Sequence, residues 1–118
     1  MRFLLFGGNF AVNNDKTKKM SKYQLTDNSE KRQYEFAVEG FTSKIEYIKT
    51  AEGEIYLTHT EVPAELGGRG IASALAEQTM QDIDKQGLKL VPVCPFIATY
   101  IDKHPEWKKL IFRGIKFQ

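Results

Sequence analysis

The sequence predicts an α+β fold on a mixed sheet, with an antiparallel meander leading into a β-α-β crossover. Three observations predict it. Residues 33–62 alternate apolar and polar with period two and are broken by tight turns. A glycine cluster at residues 67–70 opens a segment whose apolar residues recur at three- and four-residue spacing. A short apolar run at residues 88–94 closes the unit, the mark of a strand covered on both faces.

Taken in order, residues 33–39 set Tyr34, Phe36 and Val38 to one side and Gln33, Glu35 and Ala37 to the other. Glu39-Gly40 supplies the first tight turn. Residues 43–50 alternate again, separating Ile45, Tyr47 and then Lys49 from Lys44, Glu46 and Ile48. Ala51-Glu52-Gly53 turns the chain into a third strand over residues 54–62, and Pro63 ends it because proline donates nothing to a ladder. Short turns between consecutive strands make this an antiparallel meander.

The following helix carries Ile71, Ala72, Leu75, Ala76, Met80 and Ile83 on one face, and Gly87 is its natural stop. Residues 88–94 form the next strand. Pro95 suits the first turn of a second helix through Phe96, Ile97, Tyr100 and Ile101. His104-Pro105 breaks that helix, and residues 106–111 suit a final short one. Residues 112–118 read equally as a closing strand or a loop.

A chain of 118 residues suits one core, and its 42% hydrophobic and 27% charged composition is that of a globular domain. No apolar run approaches the roughly 18 residues of a membrane span. The net charge is +2, but residues 1–19 hold Arg2, Lys16, Lys18 and Lys19 against Asp15 alone. The remainder is therefore slightly acidic, which argues against a nucleic-acid partner. Cys94 is the single cysteine, so no intrachain disulfide forms and a reducing, cytoplasmic setting fits. With two histidines and one cysteine at no usual spacing, no metal is expected.

The apolar start of the chain is interrupted by Gly7, Gly8 and Asn9, unlike a secretory signal, and Met20-Ser21-Lys22 reads as a second natural beginning. Residues 1–20 are expected to be a disordered extension, and residues 21–118 the domain.

The chemistry concentrates between Glu54 and Cys94, a strand, glycine turn, helix and strand. A crossover of that length joins parallel strands, and ligands in such sheets bind beyond the strands' carboxyl ends. The first N–H groups of a helix lack internal partners and carry the positive end of its dipole. Glycines let the backbone approach a phosphate closely. Gly67, Gly68, Arg69, Gly70, Ile71 and Ala72 can therefore ring a pyrophosphate, with Arg69 adding a charge-assisted bond or pointing to solvent. The plainer reading of the same residues is a flexible loop.

The run Val62-Pro63-Ala64-Glu65-Leu66-Gly67-Gly68-Arg69-Gly70-Ile71-Ala72-Ser73-Ala74-Leu75 resembles the coenzyme A motif of the GNAT superfamily of N-acetyltransferases. Its pattern is Gln/Arg-x-x-Gly-x-Gly/Ala, with Gly68 and Gly70 at the glycine positions and Glu65 departing from the usual first residue. His59-Thr60-Glu61-Val62-Pro63, Pro92-Val93-Cys94-Pro95-Phe96 and Tyr100-Ile101-x-x-His104-Pro105 extend the likeness to a short, single-domain branch, over roughly residues 25–110. The resemblance implies a GNAT-like acyl-CoA N-acyltransferase fold, whose two parallel strands splay apart to admit the pantetheine arm. It implies acetyl-CoA as co-substrate, with Val62 among the coenzyme-binding residues, an unidentified amine as acceptor, and a backbone N–H near Glu61–Pro63 that polarises the thioester carbonyl.

Three side chains are candidates for catalysis. Cys94 closes its strand just before a helix begun by Pro95, where a thiol can gain nucleophilicity and accept an acyl group; a small buried hydrophobe is the alternative. His59 and Glu61 share one face of their strand, and either could remove a proton from an ammonium. Their plainer roles are a hydrogen-bonded sheet residue and a solvated strand end. His104 suits a helix end, and Tyr100, Trp107, Phe112 and Phe117 read mainly as core. The rival function is a noncatalytic module that binds CoA or acyl-CoA. A dinucleotide fold lacks its third glycine, since Gly68-x-Gly70-x-x-Ser73 ends in serine, and no phosphate-loop Gly-Lys-Ser/Thr ending occurs.

Overall fold

The structure, a computed structural model, describes residues 23–112. The expectations for residues 1–20 and 113–118, Phe117 included, lie outside the described residues. Among the described residues, five strands form one sheet in chain order: β1 (Thr26–Asn28), β2 (Gln33–Val38), β3 (Phe41–Lys49), β4 (Glu54–Glu61) and β5 (Lys89–Pro92). β1 to β4 are antiparallel neighbours, and β4 and β5 run parallel. The helix α1 (Ile71–Gln86) makes the crossover between them. After β5 come α2 (Pro95–Lys103) and a 3-10 turn, Pro105–Leu110. The sheet is thus the predicted meander plus crossover, an α+β fold.

The β2–β3 hairpin closes on Val38 opposite Phe41, with Glu39 and Gly40 at φ 53° and 82°. Two positive φ values in a two-residue loop follow the right-handed twist of the strands. α1 ends where Gly87 turns left-handed: its N–H donates to the Asp84 carbonyl at 3.1 Å, and the Leu88 N–H donates to Ile83 at 3.1 Å. These paired bonds satisfy carbonyls that the helix end would leave orphaned.

One core joins these elements. Tyr34, Phe36, Ile45, Tyr47, Ile55, Leu57 and Leu90 of the sheet are buried with Ile71, Leu75, Ala76, Met80 and Ile83 of α1. Each Ile, Leu or Met side chain among them contributes about 1.5–3 kcal/mol relative to exposure. Ile97, Tyr100 and Ile101 of α2, with Trp107 and Leu110 of the 3-10 turn, extend the same core.

Three departures from the sequence reading have local causes. β1 is too short and polar to show alternation; it is held by its ladder with β2 and by the Tyr47 hydroxyl, which donates to Asp27 at 2.5 Å. Lys49 does not follow Ile45 and Tyr47 inward: it is exposed, with its Nζ 3.9 Å from Asp27. β5 stops at Pro92 rather than Cys94, and Val93 is exposed as the chain turns into α2.

Candidate functional site

Two interruptions of regular structure shape the site, both near the carboxyl end of β4. The first is a bulge. Glu46 pairs with His59 and Tyr47 with Leu57, so Thr58 has no partner residue in the register. One extra residue reverses which face the following side chains occupy. Ile55 and Leu57 point into the core, yet His59 and Glu61 emerge on the exposed face. Thr60 turns inward, its hydroxyl 3.4 Å from the Cys94 thiol. Alternation alone would have put His59 beside Leu57 in the core.

The second interruption is the end of the parallel ladder. β4 and β5 pair from Glu54 opposite Lys89 to Leu57 opposite Pro92. A last bond crosses from the Cys94 N–H to the Leu57 carbonyl at 2.8 Å. Beyond it the chain turns into α2, so β5 offers no partner to residues 58–61 of β4. Pro92 cannot donate a ladder bond in any case.

Cys94 is the N-cap residue of α2 and is 5% exposed. Its carbonyl receives the Ala98 N–H at 3.1 Å. His59 and Glu61 lie across β4 from it. Their side chains are 55% and 58% exposed, with Nε2 to Oε1 at 3.6 Å. Lys44 on β3 approaches Glu46 at 3.0 Å and Glu61 at 3.7 Å, and these carboxylates raise its pKa. On the same side a polar cavity of about 360 Å³ is lined by Asn28, Lys31, Gln33, Glu35, Lys44 and Glu61.

The glycine turn follows β4 through a short 3-10 turn, Ala64–Leu66, anchored by buried Leu66. The Gly67 N–H donates to the Ala64 carbonyl at 3.0 Å. Gly68 and Gly70 have φ of 79° and 73°, and space is open where a Cβ would sit at either. Backbone conformation, not crowding, therefore demands glycine there. Gly70 is the N-cap of α1, with no side-chain cap bond and no acidic residue in the first turn. Ile71 is buried and fixes the helix start, while residues 67–70 are exposed. A sixteen-residue helix thus begins with its dipole and first amides uncapped by side chains.

Arg69 does not simply point to solvent. Its Nη1 donates to Glu39 of the β2–β3 turn at 2.7 Å. The bond holds the Glu39 carboxyl below, and the Arg69 guanidinium above, their ordinary pKa ranges.

A further polar knot escaped the sequence reading. Tyr100 and Trp107 are buried as expected, but their polar tips converge on Glu77 of α1, at 2.5 and 3.2 Å. Burial, and then the bond to Glu77, pushes the Tyr100 phenol well above its ordinary value. His104 caps the end of α2, its ring stacked on Tyr100 at 4.2 Å between centroids. Among the described residues, no group of three or more His, Cys, Asp or Glu is arranged to hold a metal ion. None of the described helices is long and apolar enough to cross a membrane.

A meander, a crossover helix with an uncapped glycine start, and a parallel pair that parts at the same edge together give the α+β fold that the sequence resemblance implies. The family model for GCN5-related N-acetyl-transferase matches residues 33–110, spanning every element from β2 to the 3-10 turn. The chain belongs to that family. It is also similar to Protein NATD1 of Xenopus tropicalis, 29% identical over 87 residues, covering 72% of this chain and 80% of the frog protein. Protein NATD1 of Gallus gallus is 29% identical over 84 residues, covering 70% of this chain and 76% of its own length.

Proposed function

We propose that the domain transfers an acetyl group from acetyl-CoA to an amine acceptor. The observation that carries this reading is the uncapped start of α1, set just past the point where β4 and β5 part. The residues present fit the coenzyme: exposed glycines at residues 67, 68 and 70 and the first amides of α1 suit a diphosphate. The stretch of β4 that β5 leaves without a partner, residues 58–61, suits the narrow pantetheine arm. Bound there, acetyl-CoA supplies an activated acetyl thioester.

The protein's part is to hold, polarise and deprotonate. In this reading a backbone N–H near residues 61–63, where β4 has lost its parallel neighbour, donates toward the thioester carbonyl. His59 and Glu61, on the exposed face beside the polar cavity, take the proton from an incoming ammonium. The freed amine nitrogen bonds the acetyl carbon, the carbon–sulfur bond breaks, and CoA leaves as its thiol after taking a proton. Cys94 offers a covalent route in which its sulfur first receives the acetyl group.

One observation favours a second reading, a noncatalytic acyl-CoA-binding module. Cys94 is nearly buried, and the two base candidates lie on the opposite face of β4. Binding alone does not separate the two readings. Thermal-shift titration with CoA, acetyl-CoA and NAD, followed by turnover with a panel of amines, does. The enzyme reading expects stabilisation by both CoA forms but not NAD, and acetylated product with at least one amine. Stabilisation with transfer no faster than background across the panel assigns the module instead. Acetylated Cys94 in the mass spectrum would mark the covalent route.

A further inference from the structure

Arg69 is the sole basic residue between Val62 and Asp84, so the cationic charge that this turn can offer an anion rests on one guanidinium. That guanidinium is already bonded. It donates to Glu39 at 2.7 Å across the gap between the glycine turn and the β2–β3 hairpin.

The backbone of Glu39 is set by its turn. It occupies a two-residue turn at φ 53°, in the left-handed region that non-glycine residues adopt less readily. The adjacent Val38–Phe41 pair fixes its register. Arg69 is the adaptable partner, on a long side chain between left-handed Gly68 and Gly70.

The ion pair is half open to water, with side chains 40% and 62% exposed. An exposed pair of this kind is weak and exchanges partners at little cost. A diphosphate carries more charge than a carboxylate and accepts the planar guanidinium fork at two oxygens. Resting on the reading that coenzyme docks at this turn, we propose that Glu39 is a built-in competitor of the coenzyme for Arg69. The β2–β3 hairpin then acts as a latch on the phosphate site. Docking releases Arg69 to the phosphates and leaves the Glu39 carboxylate without its cation, beside an anion within screening distance. The latch lowers coenzyme affinity and keeps adventitious anions off the turn.

The test is the affinity of CoA for the full chain and for E39Q, R69Q and the double variant, by calorimetry at physiological salt. Both positions are exposed, so folding is expected to survive, and melting curves check it. E39Q is expected to bind CoA about twofold to fivefold tighter, and R69Q more weakly than the parent chain. In the R69Q background the gain from E39Q should shrink to less than half. Equal or weaker CoA binding by E39Q, or an undiminished gain without Arg69, overturns the latch and leaves coenzyme binding standing. A parent chain that fails to bind millimolar CoA overturns both. Carbon-13 titration of the Glu39 carboxyl gives a second readout. Its depressed pKa should return toward the ordinary glutamate range when CoA saturates the protein, and an unchanged value contradicts the exchange.

Discussion

The two halves of β4 obey different rules. From Ile55 to Leu57 the strand is paired on both sides, and Ile55 and Leu57 are fully buried. From Thr58 to Glu61 it is bulged, loses its parallel neighbour, and sends His59 and Glu61 outward. The first half supplies rigidity, and the second spends pairing to expose backbone and polar side chains. A single strand thus anchors the sheet at one end and offers functional groups at the other.

The contrast breaks most sharply under substitution in the first half. Leu57→Ala should cost about 2–5 kcal/mol, because the site is buried on every side and collapses poorly. Chemical denaturation measures it; a cost below 1 kcal/mol would mean that this half is not the anchor described. In the second half the double change of His59→Ala with Glu61→Gln should leave stability within about 0.5 kcal/mol. Turnover with an accepted amine should nevertheless fall about 100-fold. Unchanged turnover would remove both side chains from proton transfer.

Glu77 sharpens the comparison from outside the strand. Glu77→Ala leaves the Tyr100 hydroxyl and Trp107 indole buried without their acceptor, costing about 1–3 kcal/mol. Urea unfolding reads this directly.

The smallest effect is alkaline. Burial, then the bond to Asp82, raises the Tyr34 phenol far above its usual range. Burial and Asp27 raise Tyr47 in the same way. The folded values exceed the unfolded ones, so this stability is complete below about pH 10 and declines as pH rises beyond it. Tyr34→Phe should flatten the fall of melting temperature above that pH.

Local signals made much of the fold legible. Alternation in β2 and β3, the glycine start and stop of α1, and Pro95 opening α2 each depend on a few neighbouring residues. The bulge at Thr58 was hidden because it exists only in the register between β3 and β4. The sequence placed His59 and Glu61 together, and they do share a face, but nothing local shows that the bulge turns that face outward. The Arg69–Glu39 bond joins residues thirty positions apart, and the Glu77 knot gathers three elements. Such contacts are set by packing and leave no periodic trace. β1 left none either, being three polar residues.

The most direct measurement follows backbone amides by nitrogen-15 NMR as CoA is added. Docking on the uncapped start of α1 predicts the largest shifts at Gly68, Arg69, Gly70, Ile71 and Ala72, with smaller ones along residues 58–62. Shifts gathered instead around the cavity of about 510 Å³ lined by Val93, Ala98 and Ile101, with the glycine amides unmoved, would contradict the account.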